Sequence, residues 1–220
     1  MIDIREAALA RSRGVTQLNN RPSQRRCAPE ESARSAMLAP AALSVREAGE
    51  SGDGLIFQGV ASVTERAYDM WDAFGPYAEV VDRGAFDNTL AQPDLDVPLV
   101  LAHDQMRRIA RTTNGSLRLS MTDDGLGVNA DLDRRDLDVA YIEHKLRAGL
   151  IDEMSFAFRI VNGQWSPDYT EYRITEVDLH RGDVAIVGWG ANPHTTANLR
   201  QQPAHRESLA AYLDAAIASR

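Results

Sequence analysis

Short runs in which apolar and polar residues alternate constrain the fold of this chain most. LIFQGVASV (55–63) is rich in β-forming residues and alternates as a half-buried strand does. Six further runs have β composition or the same period, and a turn signal, TDDG, separates the second and third of them. These six runs are VPLVLAHD (97–104), SLRLSMT (116–122), GLGVNADL (125–132), MSFAFRI (154–160), TEYRITEVDL (170–179) and DVAIVG (183–188). A β-rich domain is therefore predicted.

Two clear helices are predicted among the strands. DLDVAYIEHKLRAG (136–149) has Asp136 as its N-cap, repeats apolar residues at helical spacing and ends at Gly149. RESLAAYLDAAIASR (206–220) has the pattern of a C-terminal helix, and a shorter helix is expected near Phe86. The first helix leads the chain directly into the strand at 154–160.

The 220-residue chain divides by composition into three parts. Residues 1–50 contain eight arginines against six acids and no sustained apolar period, which predicts a flexible arginine-rich N-terminal arm. Residues 51–200 hold all the strong strand patterns and are predicted to form one domain. Residues 201–220 are predicted to be a C-terminal helix or tail.

Composition excludes several classes of function. The chain is 44% hydrophobic and 25% charged, and no apolar stretch approaches the roughly 20 residues that span a bilayer, so neither a secretory signal nor a membrane partner is expected. The net charge of −8 disfavours nucleic acid as a partner. Cys27 is the single cysteine, which excludes an internal disulfide and a multi-cysteine zinc site.

Three polar residues stand out at the ends or on the faces of predicted strands. The stretch GLIDEMSFAF (149–158) ends a charged amphipathic segment and places Ser155 inside an apolar run, where period two turns it away from the face of Met154 and Phe156. His103 closes an apolar strand, and Asp183 begins another. Each alone has an ordinary explanation as a surface or capping residue. Together they supply the nucleophile, the base and the orienting carboxylate of a hydrolytic triad.

Four sequence blocks resemble, in order, the signature blocks of tailed-phage prohead maturation proteases, which are relatives of the herpesvirus assemblins. The resemblance covers about residues 55–199, and four ordered blocks are far more specific than one. Two details differ from the family pattern: LAHD stands where NHD is common, and GWGANP stands where an ending nearer PANP is found. The blocks are GPYAEVVDRGAFDNTL, VPLVLAHD, GLIDEMSFAF and DVAIVGWGANP.

The resemblance implies both the roles of the candidate residues and the fold. It makes Ser155 the nucleophile and His103 the base, and Asp183 occupies the third position, where a carboxylate orients the imidazole. The fold that it implies is a β-rich α+β domain: a closed, mostly antiparallel β-barrel flanked by helices, as in the herpesvirus assemblins.

The activity that the resemblance implies is that of a serine endopeptidase of viral prohead maturation, with no cofactor. Its expected substrates are the major capsid protein, scaffold segments and the protease itself, with the arm at residues 1–50 as a self-cleavage region. The expected location is the host cytoplasm, inside assembling proheads. Because the herpesvirus relatives depend on a dimer, a homodimer is one option.

Two other classes of function stay open. The first is a non-catalytic capsid-assembly module that retains the protease fold, which would not need His103 and Ser155 to come together. The second is a metal hydrolase built from His103, Asp104 and acidic residues distant in the sequence, although no helix carries paired histidines at metal-binding spacing.

Overall fold

The computed structural model describes residues 3–23, 26–27, 45–48 and 54–190, and strands dominate these ranges. The helices are α1 (Ile4–Gly14), α2 (Asp87–Leu90) and α3 (Leu137–Arg147), with a 3₁₀ turn at Thr112–Asn114. The strands are β1 (Arg26–Cys27), β2 (Val45–Ala48), β3 (Gly54–Val63), β4 (Tyr68–Asp72), β5 (Gly75–Val81), β6 (Pro98–Leu101), β7 (Asp104–Arg111), β8 (Leu117–Met121), β9 (Gly125–Asp133), β10 (Glu153–Trp165) and β11 (Glu171–Val187).

The strands form two sheets. The larger sheet has seven strands in the order β1-β4-β5-β11-β6-β7, with β10 paired along β11 as well, and the smaller has the order β2-β3-β9-β8. Strand β11 is central to the larger sheet: its first part pairs in parallel with β5, its last part pairs in parallel with β6, and β10 runs antiparallel to it throughout. Ser155 and Asp183 therefore lie on neighbouring strands, and His103 follows the end of β6, which also pairs with β11.

The β-rich composition is confirmed, but the predicted closed β-barrel is wrong. Within the described ranges no strand ladder joins the two sheets, and neither sheet closes on itself. A half-buried strand alternates in the same way in a barrel and in an open sheet. Closure depends instead on strand tilt and stagger around the whole sheet, which local alternation does not encode.

The main core lies where the apolar sides of the sheets and of α3 meet. Alternation along β3 buries Leu55 and Phe57, while β10 contributes Met154 and β6 contributes Leu99 to the same cluster. Burial of this apolar surface is the dominant stabilising term, at roughly 25 cal/mol per Å². Three buried residues form a separate small cluster: Val100, Ala185 and Val187.

The small cluster marks the opposite face of the larger sheet. Successive side chains alternate between the two faces of a strand, so Val100 points away from its core neighbours in β6. Ala185 pairs with Val100 on one side and with Ser155 on the other, which puts all three on this outer face. The outer face thus carries the predicted nucleophile, and the core face beneath it is filled.

Part of the predicted flexible arm is a helix packed on the domain. In α1 the side chain of Arg11 is fully buried, donates to both carboxylate oxygens of Asp72 at 2.9 Å and donates to three backbone carbonyls. Its guanidinium lies 4.5 Å from the centre of the Trp165 ring, a cation–π contact. The role of the arm in self-cleavage stays a prediction, and the predicted C-terminal helix at 206–220 lies outside the described residues.

Among the residues that the structure describes, no helix combines the length and the apolar composition that crossing a membrane requires.

Candidate active site

His103 lies in a tight turn between two strands. β6 ends at Leu101 and β7 begins at Asp104, so Ala102 and His103 are the two residues of a hairpin loop. Their φ angles are 52° and 59°, as a type I′ turn requires at both central positions. The amide of Ala102 donates to the carbonyl of Ile186 in β11 at 2.9 Å. The turn is therefore tied to the strand that carries Asp183.

Asp183 is a buried carboxylate in contact with the His103 ring. Its side chain is 3% exposed and its Oδ1 lies 2.7 Å from His103 Nδ1, while the His103 side chain is 39% exposed. An ionised carboxylate only accepts hydrogen bonds, so it favours the imidazole tautomer that carries its proton on Nδ1. That tautomer leaves Nε2 able to accept a proton.

A glycine allows β11 to bring Asp183 close to β10. A Cβ atom on Gly182 would lie 1.9 Å from the carbonyl oxygen of Ala157, a distance that a side chain does not tolerate. Ala157 is also the register partner of Asp183, immediately before an irregularity in the pairing of the two strands. Glycine at position 182, directly before Asp183, therefore allows β10 and β11 to approach each other closely at this point.

Ser155 lies on β10 directly opposite Ala185, two residues along from the Ala157–Asp183 pair. Ser155 and Asp183 are therefore diagonal neighbours on one face, with Cα atoms about 7–8 Å apart. The serine is half-buried, and the described part of the chain contains no hydrogen bond between its hydroxyl and His103. The structure thus joins His103 to Asp183 and positions Ser155 one strand away on the same face.

Gln105 is a further residue of this site that no sequence pattern indicated. Its Nε2 donates to Asp183 Oδ2 at 2.6 Å, so both oxygens of the carboxylate have partners. The guanidinium of Arg108 donates to Gln105 Oε1 at 3.1 Å and to the Gln105 carbonyl at 2.8 Å, which fixes the orientation of the amide. Its position two residues after His103 would indicate a role in the site only to a reader who had already recognised β7 as a strand.

A second carboxylate lies at the start of the strand that carries Ser155. Glu153 is the register partner of Val187, and its Oε2 accepts from the amide of Gly190 at 2.5 Å. Burial raises the pKa of Glu153, against the opposing effect of that hydrogen bond. The contact holds the segment that follows β11 against the beginning of β10.

No group of three or more His, Cys, Asp or Glu side chains is arranged to hold a metal ion in the ranges that the structure describes. In the alternative metal site proposed from the sequence, His103 Nδ1 is already bound to Asp183, and Asp104 accepts a hydrogen bond from the amide of Met106.

Comparison with known proteins gives one match. The family model described as the caudovirus prohead serine protease matches residues 41–209, more than three quarters of the chain. No curated protein and no solved structure matches. The family expected from the four sequence blocks is confirmed, and the chain belongs to the caudovirus prohead serine protease family.

Proposed function

We propose that this chain is the endopeptidase that processes the major capsid protein and scaffold segments inside the assembling prohead, in the host cytoplasm. Membership of the prohead serine protease family supports the reaction class and the setting. The observation that supports the choice of residues is the 2.7 Å contact between His103 Nδ1 and the buried Asp183, on the sheet face that also carries Ser155.

In the proposed reaction Ser155 Oγ attacks the carbonyl carbon of the scissile peptide bond. His103 Nε2 takes the hydroxyl proton and then donates it to the leaving amine, and water hydrolyses the resulting acyl-enzyme by the same steps. Asp183 keeps the proton on Nδ1 and stabilises the imidazolium that forms. Gln105 is a positioning residue, because it holds the second carboxylate oxygen and so limits rotation of Asp183.

The mechanism requires a hydrogen bond between Ser155 and His103 that the structure does not contain. Such bonds are often long without substrate and shorten in the Michaelis complex. The His103 side chain is 39% exposed, and its ring contacts Asp183, a side chain that is buried in the sheet. We therefore propose that binding of an extended substrate over the outer face completes the triad.

Self-cleavage is proposed for the segment between α1 and β3. Proteolysis requires an extended segment that enters the active site, and chain ends and the connections between elements are the usual locations of such segments. Arg11 and its contacts would keep residues 3–23 bound to the domain after the cut. The arm would then be severed without being released.

The test is coexpression with the major capsid protein of the same virus, followed by mass spectrometry of the capsid subunit's N-terminus. Processing is expected with the unchanged chain and with Ser120→Ala, an exposed serine of β8, and none is expected with Ser155→Ala. Processing that continues in Ser155→Ala refutes the nucleophile. Capsid protein that is bound but never cut by the unchanged chain supports the assembly module instead.

A further inference from the structure

A basic cleft opens beside the proposed site. Its volume is about 240 Å³, and its walls come from the start of β6, from β7 and from the irregular part of β11. Three arginines line it, Arg108, Arg111 and Arg181, together with Gln105 and a single carboxylate, Asp96. Gln105 belongs to both places, since its side chain reaches from the cleft to Asp183.

The charges in the cleft do not balance. Asp96 forms a two-pronged ion pair with Arg111, with both N···O distances 2.6 Å, and this hydrogen bonding holds the pKa of Asp96 below its usual value. Arg108 donates to the neutral oxygens of Gln105. Among the described residues the Arg181 guanidinium has no hydrogen-bond or ion-pair partner. The described residues that line the cleft therefore carry three positive charges against one negative charge, in a protein whose net charge is −8.

The backbone holds Arg181 firmly in place. Its φ angle is 60°, in the left-handed region that non-glycine residues seldom adopt. Its amide donates to the Asp96 carbonyl at 2.9 Å, and the ring of the preceding His180 accepts from the Asp96 amide at 3.4 Å. The backbone of the irregular part of β11 is therefore fixed, and the Arg181 side chain lines the cleft.

The cleft lies on the same face of the sheet as Ser155. In the register of the strands Arg108 is opposite Val100, Val100 is opposite Ala185, and Ala185 is opposite Ser155. Arg108 is three strand spacings from Ser155, about 14 Å at about 4.8 Å per strand. An extended peptide advances about 3.3 Å per residue, so the cleft lies three to five residues from a bond held at Ser155.

We infer that this cleft binds an acidic side chain, Asp or Glu, of the protein substrate three to five residues from the bond that is cut. Guanidinium groups bind carboxylates in two-pronged, charge-assisted hydrogen bonds, and Arg181 is available for one. This inference rests on the proposed endopeptidase function. It adds a determinant of specificity that is separate from the proposed catalytic residues.

The probe is a set of quenched fluorescent peptides based on the cleavage sequence mapped in the capsid protein. Glu, Gln or Lys is placed at each position on either side of the cut in turn. With the unchanged chain, Glu at one position three to five residues from the cut should raise kcat/KM about tenfold over Gln, mainly through KM, as one charge-assisted hydrogen bond allows. Arg181→Gln should remove the preference, and Arg181→Glu should transfer it to Lys.

Arg66→Gln is the matched control, because Arg66 is an exposed arginine in the loop between β3 and β4. It should keep the preference for Glu. A preference that is unchanged in Arg181→Gln, or no position at which Glu is favoured, would overturn the inference. If the Gln peptides are still cleaved, and only when Ser155 is present, the proposed endopeptidase function stands whether or not the acidic subsite exists.

Binding measured without catalysis separates the two proposals further. In the Ser155→Ala background, fluorescence anisotropy should show about tenfold weaker binding of the Gln peptide than of the Glu peptide. The added change Arg181→Gln should abolish this difference. Equal affinities for the two peptides in Ser155→Ala would contradict an acidic subsite even if no variant cleaves any peptide.

Discussion

Replacing Asp183 by asparagine should disable His103 through the hydrogen-bond pattern around a single buried side chain. Asp183 accepts from His103 Nδ1 at 2.7 Å and from Gln105 Nε2 at 2.6 Å. Asparagine offers one acceptor and one donor. If its oxygen faces His103, its NH₂ group meets the NH₂ group of Gln105, which Arg108 prevents from turning over. If its NH₂ group faces His103, the ring proton moves to Nε2, and His103 no longer accepts a proton from Ser155.

The size of the effect follows from the two bonds. Each hydrogen bond to a charged group contributes about 1.5–3 kcal/mol, so the asparagine rotamer whose oxygen faces His103 is disfavoured by about 3–6 kcal/mol, through one lost bond and one donor–donor contact. At 1.36 kcal/mol per factor of ten, the fraction of molecules with the productive tautomer, and with it kcat, should fall about 10²- to 10⁴-fold. The KM for peptide should change little, because neither oxygen of Asp183 is proposed to touch substrate.

A compensating change makes the prediction specific. In Asp183→Asn/Gln105→Glu the new carboxylate accepts from the asparagine NH₂ group and still accepts from Arg108, so the asparagine oxygen faces His103 again. The kcat of the double variant should be at least tenfold higher than the kcat of Asp183→Asn. Gln105→Glu alone should lower kcat, because it places two carboxylates in contact.

The assay is cleavage of a mapped capsid peptide, with the tautomer of His103 read from its ring ¹⁵N shifts by NMR. The proton should be on Nδ1 in the unchanged chain and in the double variant, and almost entirely on Nε2 in Asp183→Asn. Full activity of Asp183→Asn, or a double variant no better than the single one, would refute the reasoning.

Three further outcomes are expected in urea unfolding measurements. Ala102→Gly should stabilise the domain by up to about 1 kcal/mol, because the φ of 52° costs alanine more than glycine, and an unchanged or lower midpoint would contradict this. Arg11→Met should lower the free energy of unfolding by about 3–5 kcal/mol, since it leaves Asp72 buried without its arginine partner. Adding Asp72→Asn should restore part of this loss. A small effect of Arg11→Met alone would refute the buried pair as an anchor of α1. Asp96 and Asp178 have lowered pKa values because they accept hydrogen bonds from arginines, so they contribute stability at neutral pH that is lost as the pH falls. The urea midpoint should therefore decline below about pH 4. A midpoint that stays constant there would count against these two pairs.

Local sequence patterns predicted individual elements well. The run at 55–63 became β3, and α3 has the predicted cap, with Asp136 Oδ1 accepting from the amides of Asp138 and Val139. Alternation and capping depend on neighbours in the chain, so they can be recognised without the fold. The two runs at 170–179 and 183–188 proved to be one strand, β11, because its pairing with β10 continues through irregular positions.

Long-range features could not be predicted from the same patterns. An arginine in a polar segment gives no sign that it will be buried, yet Arg11 is fully buried because Asp72, 61 residues away, offers two oxygens at the right distance. Gln105 was missed for a similar reason, since its significance comes from Asp183, 78 residues away. The open sheets belong to this group too, because closure is a property of all the strands together.

The central claim is that Ser155 is a nucleophile activated by His103, and labelling with a peptide phosphonate that carries the mapped capsid cleavage sequence measures this most directly, because its extended peptide can complete the triad as substrate does. Such reagents phosphonylate serines whose hydroxyl is activated by a neighbouring base. Mass spectrometry of the digested chain should show the adduct on Ser155 in the unchanged protein and in Ser120→Ala, and at least a hundredfold slower labelling in His103→Ala, on the order of one lost general base. Labelling of Ser155 at the same rate in His103→Ala, or no adduct on Ser155 in a preparation that still processes capsid protein, would contradict the account.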